Sequence, residues 1–346
     1  MLLSVNFPSF IKPEIIPGLP IRWYGLMYIV AFSVAFLLYR RQVRERRFPI
    51  TEDELSSMFF WCILALIIGA RVFSTLVYEP VATNIYLRKP WLIFWPFHNG
   101  KFTGFQGMSY HGGVIGGLIG IIIWSKRHRY DIREISDMFA AAIPLGYTAG
   151  RLGNFINAEL YGRVTSSPLG MIFPIPEWDS AHRFSPKIEW VRDIAEKSGI
   201  DLNSASEALI NLPRHPSQLY EAFFEGIFIW VIIWLLRKKS PFKGFITGLY
   251  VFSYGLIRFF IEYFREPDAD LGYRIQLGQN VSIKEISYLH PWGSFSTGQI
   301  LCMAMIFCAV LWWILASRLP GHKMTYFYEE KKEAQKQRRK RPKKFK

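Results

Sequence analysis

Seven apolar blocks, each long enough to cross a bilayer, leave this 346-residue chain few ways to fold. A membrane-spanning helix needs about 20 predominantly apolar residues. Here these residues come in long blocks rather than amphipathic stripes, within a composition that is 51% hydrophobic and 17% aromatic. The expected fold is therefore all-α: a polytopic membrane protein with seven transmembrane helices and no second large domain. Six blocks fall at about 21–39, 55–78, 108–124, 135–160, 245–264 and 297–319, and the fifth in chain order starts after His215–Glu221 and ends at Arg237–Lys239. Residues 1–319 read as one membrane domain, with 163–216 as a small extramembrane arm and 320–346 as a disordered basic tail.

Local signals punctuate these blocks. Thr51-Glu-Asp-Glu54 is a helix start, with a capping threonine and acids in the first turn. Gly112/Gly116 and Gly113/Gly117 are small residues four apart, a face on which another helix can pack closely. Cys62, Cys302 and Cys308 all lie in apolar blocks without metal-ligand spacing, so they read as buried thiols rather than a disulfide or zinc site. The N-terminus has no basic region followed by a small-residue cleavage site, so the first span is expected to be retained.

The net charge is +15, and nine units of it come from the stretch beginning at Lys331, where ten Lys or Arg accompany one Glu. Lacking interleaved aromatics or a recognisable module, the tail reads as a polybasic segment against anionic lipid, not as a nucleic-acid binder. Tight basic clusters also follow the first, third and fifth blocks: Arg40 to Arg47, Lys126 to Arg133, and Arg237 to Lys239. By the positive-inside rule the N-terminus and the arm lie outside and the C-terminus is cytoplasmic.

Polar residues at membrane depth are costly and seldom idle. Gly150-Arg-Leu-Gly-Asn-Phe-Ile-Asn-Ala-Glu-Leu-Tyr-Gly162 closes the fourth block with Arg151, Asn154 and Asn157 three apart, on one broad helical face. Gly150, Gly153 and Gly162 leave room for a second helix or a ligand. On a continuous helix Arg151 lies about 24 Å from Ile135, in the outer half of the bilayer, and Arg258 lies about 20 Å past Phe245. Arg71, Tyr24 and His111 reach a similar level. Tyr254, Arg258 and Glu262 are successive i,i+4 neighbours. Arginines from three helices outnumber the acids expected nearby, which calls for an anion, and guanidinium forks match phosphate. A phosphate at that depth in an apolar cavity is most simply a phospholipid headgroup. The bland alternatives are a polar packing seam and a self-neutralising Arg258–Glu262 pair. His111 suits general-base work, whereas His215 reads as structural.

These residues resemble one family, the bacterial prolipoprotein diacylglyceryl transferases. The Gly150–Gly162 stretch looks like the family's signature. Tyr110-His-Gly-Gly113, His215-Pro-Ser-Gln-Leu-Tyr-Glu221, Tyr254-Gly-Leu-Ile-Arg-Phe-Phe-Ile-Glu262 and Arg265-Glu-Pro-Asp268 resemble further blocks in family order. Ile21-Arg-Trp-Tyr-Gly25 and Gly298-Gln-Ile300 also fit. The resemblance covers about residues 15–318 and is loose in the arm.

It implies transfer of the sn-1,2-diacylglyceryl group of phosphatidylglycerol to the lipobox cysteine thiol of a prolipoprotein, with release of glycerol 1-phosphate. The partners implied are phosphatidylglycerol, prolipoprotein signal peptides and membrane lipid, with no nucleic acid, metal or cofactor. The setting implied is the bacterial cytoplasmic (inner) membrane, with the active site toward the outer leaflet. Arg151 matches the family's phosphatidylglycerol-binding arginine, and Tyr24, His111, Asn154, Glu159, Gly162, Tyr254, Arg258 and Glu262 match other important positions. In combination with the residue reading, His111, Tyr24, Arg258 and Glu262 are expected to be catalytic, with Tyr24 and Glu262 rivals to His111 as base. Arg151, Asn154, Asn157, Glu159, Gly162, Tyr254 and Arg71 are expected to bind the lipid. The competing class is a transporter for an anionic solute. It predicts a path through both leaflets and often paired repeats, and no internal repeat is evident.

Overall fold

The computed structural model describes residues 5–16, 22–78, 80–98, 100–102, 107–177, 179–200, 202, 209–266, 272–277, 288 and 291–324. In chain order these form β1 (Val5–Asn6), α1 (Trp23–Arg46), α2 (Glu52–Phe73), α3 (Pro80–Arg88), β2 (Phe97–His98), β3 (Lys101–Phe102), α4 (Tyr110–Arg127), α5 (Ile132–Ala140) and α6 (Ile143–Ile156). There follow β4 (Met171–Ile172), α7 (Glu189–Lys197), α8 (Ser217–Tyr220), α9 (Ile229–Leu236), α10 (Phe245–Ile261), β5 (Tyr273–Gln276), β6 (Ser294–Ser296) and α11 (Thr297–Arg318). The protein is thus mostly helical. Four helical stretches are long and apolar enough to cross a membrane: Trp23–Arg46, Glu52–Val77, Ser217–Lys239 and Thr297–Arg318. The basic tail from residue 325 lies outside the described residues.

The chain divides into two compact units, one of Tyr39–Phe139 and one of Met1–Leu38 with Ala140–Met324. In the Tyr39–Phe139 unit, α2 begins at the expected capping box. Thr51 Oγ1 accepts the Glu54 amide at 3.2 Å, and Glu54 Oε2 accepts the Thr51 amide at 2.9 Å. The glycine face of α4 lies on α2. A Cβ at Gly112 would strike the Gly69 carbonyl, one at Gly116 the Ala65 carbonyl, and one at Gly120 would approach Ala65 Cβ to 3.0 Å. Without side chains on this stripe the two backbones come close enough for dispersion contacts along their length.

In the other unit, α10 and α11 are tied at one end by two indoles. Trp312 Nε1 donates to the Gly244 carbonyl at 2.7 Å, and Trp313 Nε1 to the Phe245 carbonyl at 3.0 Å. Ala140, Ala141, Ile229, Ile233 and Ile246 form a buried core there, with Tyr254 and Ile257 against it. The arm folds around its own core of Val164, Val191, Ile194, Ala195, Ile210 and Leu212. It is tied to the N-terminus by the parallel pairing of β1 with β4, Val5 opposite Met171.

Two expectations are corrected. The block at 135–160 is not one helix but two, α5 and α6, separated by a turn at Ala141–Ala142. Pro144 explains the break, since it has no amide hydrogen and its ring would collide with the carbonyl four residues back, at Ala140. Arg151 is therefore positioned by the short helix α6, and the 24 Å run along a continuous helix does not apply. Second, Cys308 is exposed while Cys62 and Cys302 are buried. Six residues along α11, Cys308 has rotated to the face opposite Cys302. Between α2 and α4 the chain contains α3, a short 3-10 turn at Pro90–Phe94 and the β2–β3 pair.

The α2–α4 contact makes a paired prediction. Gly116→Ala should lower the melting temperature of the purified protein by several degrees, an overpacking cost of about 1–3 kcal/mol. Gly117→Ala should leave it within a degree or two, because a Cβ there meets only the Leu66 side chain, at 3.9 Å and 4.0 Å. Equal melting temperatures in a thermal-shift series would contradict the close approach.

Candidate active site

Three short pieces of helix bring the charges together. α6 carries Tyr147, Arg151 and Asn154 on one face at i, i+4 and i+7. α10 carries Tyr254 and Arg258, and Glu262 follows as its C-terminal cap. Between α8 and α9 the helix widens into a π-helical turn, Glu221–Phe228. Such a turn, uncommon in helices and frequent at functional sites, re-aims the side chains it carries. Here it carries Glu221 and Glu225, both fully buried.

Glu221 is the hub. Its carboxylate lies 3.0 Å from Arg151 Nε and receives Arg258 Nη1 at 2.9 Å and Arg265 Nη1 at 3.2 Å. Glu225 receives the Tyr147 hydroxyl in a short hydrogen bond and lies 3.4 Å from Arg258 Nη1. Arg258 Nη2 reaches Glu262 Oε2 at 3.2 Å. Glu262 Oε1 accepts from Ser296 Oγ at 3.1 Å, and a Cβ at Gly298 would fall 2.6 Å from that oxygen. Glu262 is thus seated at the N-terminus of α11, where the peptide dipoles favour an anion and only glycine leaves it room.

Arg151 also donates Nε to Tyr147 Oη at 2.6 Å, and its Nη1 meets Asn154 Oδ1 at 3.4 Å. Among the described residues, the Nη1–Nη2 edge of Arg151 carries only that long contact. Asn154 Nδ2 donates to Glu159 Oε1 at 2.9 Å, and Asn157 Nδ2 approaches the same oxygen at 3.5 Å. The loop that presents Glu159 is tight, with Ala158 and Leu160 at φ of 53° and 54°. It is held from beneath by Gln218 Nε2, which donates to the Glu159 carbonyl at 2.7 Å. Tyr24 Oη lies 2.9 Å from Tyr28 Oη, and the Tyr24 ring borders Gly153, where a Cβ would come within 3.5 Å of it.

Gly162 serves the backbone. Its amide donates to the His215 carbonyl at 2.8 Å, and its own carbonyl accepts from Arg214 Nη1 at 3.2 Å. A side chain there would collide with the Phe264 carbonyl. Arg214 is wholly buried, ion-paired to Glu266 and stacked 4.9 Å from the Tyr161 ring centroid. Gly153 and Gly162 therefore admit neighbouring chain as expected, whereas a Cβ at Gly150 would meet nothing within 4 Å.

Tyr24, Arg151, Asn154, Asn157, Glu159, Gly162, Tyr254, Arg258 and Glu262 all belong to the unit of Met1–Leu38 and Ala140–Met324. Arg71 and His111 belong to the Tyr39–Phe139 unit. There Arg71 is buried and donates Nε to the Ile93 carbonyl at 2.5 Å and Nη1 to the Gly107 carbonyl at 3.1 Å. His111 is exposed in the first turn of α4, its ring edge-on to Tyr110 at 6.0 Å.

Among the described residues, the expected surplus of guanidinium is not found in this cluster. Arg151, Arg258 and Arg265 meet Glu221, Glu225 and Glu262, three cations to three carboxylates. Sequence reasoning gave no role to Glu221, Glu225, Tyr147 or Arg265. Two signals were available: Glu221 and Glu225 are acids four apart inside an apolar block, and Tyr147 precedes Arg151 by one helical turn.

His215 carries a testable consequence. Burial, and then the charge of Arg163, push its imidazole down to about 4 from the usual 6.5. The folded protein thus takes up no proton at His215 until about pH 4, while the unfolded chain is protonated below about 6.5. The stability contributed by the neutral ring is full above pH 6.5 and is lost as the pH falls towards 4. Melting temperatures between pH 7 and pH 4 should fall more steeply for the wild type than for His215→Gln; parallel curves would contradict a buried neutral histidine.

A family model described as prolipoprotein diacylglyceryl transferase matches residues 13–315. The chain is 53% identical over 324 residues to the phosphatidylglycerol–prolipoprotein diacylglyceryl transferase of Treponema denticola, covering 90% of this chain and 94% of that protein. Its counterpart in Treponema pallidum is 51% identical over 317 residues, covering 88% and 93%. That of Chlorobaculum tepidum is 40% identical over 312 residues, covering 87% and 88%.

Proposed function

The chain belongs to the prolipoprotein diacylglyceryl transferase family, and from that premise we propose how its residues carry out the transfer. The enzyme moves the sn-1,2-diacylglyceryl group of phosphatidylglycerol to the thiol of a prolipoprotein's lipobox cysteine. A sulfur–carbon bond forms at the glyceryl carbon while that carbon's bond to the phosphate oxygen breaks. The electron pair leaves with glycerol 1-phosphate, the thiol proton goes to a base, and the peptide keeps the lipid as a thioether.

The observation that carries this reading is the state of Arg151. Its Nε side is fixed by Glu221 and Tyr147, while its Nη1–Nη2 edge carries only the long contact to Asn154. That edge has the geometry to take two phosphate oxygens. As the carbon–oxygen bond breaks, charge grows on the phosphate, and a guanidinium already held in place stabilises it without reorganising. Arg258, clamped between Glu221 and Glu262, adds positive potential to the same pocket. Asn154, Asn157 and Glu159 offer hydrogen bonds to the glycerol hydroxyls. Tyr254, Tyr24 and Gly162 complete the wall.

The attacking thiol, with a reference pKa of about 8.5, reacts as the thiolate. His111 is the base we assign. Glu262 is less suited, since Ser296, Arg258 and Arg265 already engage its carboxylate.

The supporting topology is seven crossings: α1, α2, α4, the broken α5–α6, the α8–α9 helix, α10 and α11. Basic clusters follow α1, α4 and α9, which puts those ends in the cytoplasm of a bacterial inner membrane. The N-terminus and the arm of 163–216 then lie outside, with the site toward the outer leaflet and the tail from residue 320 inside. Residues 1–319 act as one catalytic domain.

With phosphatidylglycerol labelled in its diacylglyceryl part and a lipobox peptide, label should appear on the peptide thiol. Arg151→Lys, which keeps the charge but loses the fork, should reduce turnover by about 10²–10³-fold, the usual cost of a lost transition-state donor. Unchanged turnover and lipid affinity would count against phosphate holding at Arg151. His111→Gln should cost about 10²–10⁴-fold. Wild-type turnover in that variant would rule the histidine out as base.

A further inference from the structure

We infer that Tyr147 is a positioning residue for Arg151: its hydroxyl, itself oriented by Glu225, fixes the guanidinium in the attitude that receives phosphate. The inference rests on the reading that Arg151 holds the headgroup phosphate.

A phenol has one proton to give and lone pairs to accept with. Tyr147 gives its proton to Glu225 and receives Nε of Arg151 at 2.6 Å. Glu225 is fully buried, so the direction of that proton is set inside the protein, and with it the lone pair that faces Arg151. The same ring lies 4.9 Å from the Arg151 guanidinium carbon and meets Tyr254 edge-on at 6.0 Å, which fixes the ring itself.

Glu221 cannot supply this orientation alone. Its carboxylate is shared among Arg151, Arg258 and Arg265, so its position is a compromise among three cations. Among the described contacts of these arginines, only Arg151 donates a hydrogen bond to the Tyr147 hydroxyl oxygen. Nε thus sits between two oxygens, Tyr147 Oη and Glu221 Oε2, and two anchors on one side of a planar group fix its plane. The opposite edge, Nη1–Nη2, is then aimed by a residue that never touches the lipid.

Tyr147→Phe isolates the effect. It removes one oxygen and leaves the ring, its contact with Tyr254 and the cation–π contact. In full-length enzyme reconstituted with phosphatidylglycerol and a lipobox peptide, the KM for phosphatidylglycerol should rise about tenfold, as expected for loss of a charge-assisted hydrogen bond. The KM for the peptide should stay within about twofold, and the melting temperature within a few degrees. In an Arg151→Lys background, where the fork is gone, Tyr147→Phe should change lipid affinity no further, because residues acting as one unit are not additive.

Four other outcomes overturn the inference. Equal multiplicative losses in both backgrounds would mean that Tyr147 acts independently of Arg151. Parallel changes in both KM values with a falling melting temperature would mark a structural role. An unchanged lipid KM in Tyr147→Phe, with a raised one in Arg151→Lys, would remove this inference and leave the phosphate reading standing. An unchanged lipid KM in Arg151→Lys would remove both.

Discussion

The candidate site depends on one fully buried carboxylate, Glu221, and on the three guanidinium groups that meet it. Each of these four charges would be prohibitive alone in an apolar surrounding. Together they are tolerable, because every arginine has a carboxylate within hydrogen-bond reach and every carboxylate has more than one donor. Removing one partner from such a network leaves an uncompensated buried charge, at a cost of about 3–5 kcal/mol. The network also ties together separate parts of the chain: α6 through Arg151, the π-helical turn through Glu221, and α10 and its sequel through Arg258 and Arg265. Apolar packing alone would allow these pieces to slide. The charges set their register.

Much of the helical framework was legible because it follows from one-dimensional rules. A run of apolar residues of bilayer length is a span wherever it occurs, which identified α1, α2, the α8–α9 helix and α11. Thr51 and Glu54 cap α2 because both capping groups lie within four residues of each other. The glycines of α4 announced a close contact, although only the structure shows that α2 fills it. Chain-level patterns failed where a single residue or a local change of helix type decides. Pro144 lies inside a convincing apolar block and was read past, so one helix was expected where α5 and α6 stand. The π-helical turn at Glu221–Phe228 has no marker in residue type or spacing.

The site was legible in part for the same reason. Arg151, Asn154 and Glu159 were found because they are close in sequence, and Arg258 and Glu262 because they are one helical turn apart. Their long-range partners were not. That Arg151 and Arg258 share Glu221, seventy and thirty-seven residues away respectively, is a fact of packing. Gly162 was legible only as a pair of alternatives, room for a second helix or for a ligand. That room is taken by the chain itself, hydrogen-bonded to His215 and Arg214 and pressed against Phe264.

The charge balance changes what the arginines do. Three free guanidinium groups would bind any anion tightly and hold it. Three guanidinium groups paired with Glu221, Glu225 and Glu262 attract an anion far less in the ground state, since the net field of the cluster is small. What remains is directional: a hydrogen-bonding edge on Arg151, held in place from its Nε side by Glu221 and Tyr147. Such an edge interacts weakly with a phosphodiester carrying one dispersed charge and more strongly with a leaving phosphate on which charge is accumulating. Differential binding of that kind lowers a barrier, whereas uniformly tight binding does not. On the proposed reading of Arg151, a neutralised, preorganised cluster is therefore better suited to a leaving phosphate than the cationic cavity that the arginines alone suggested.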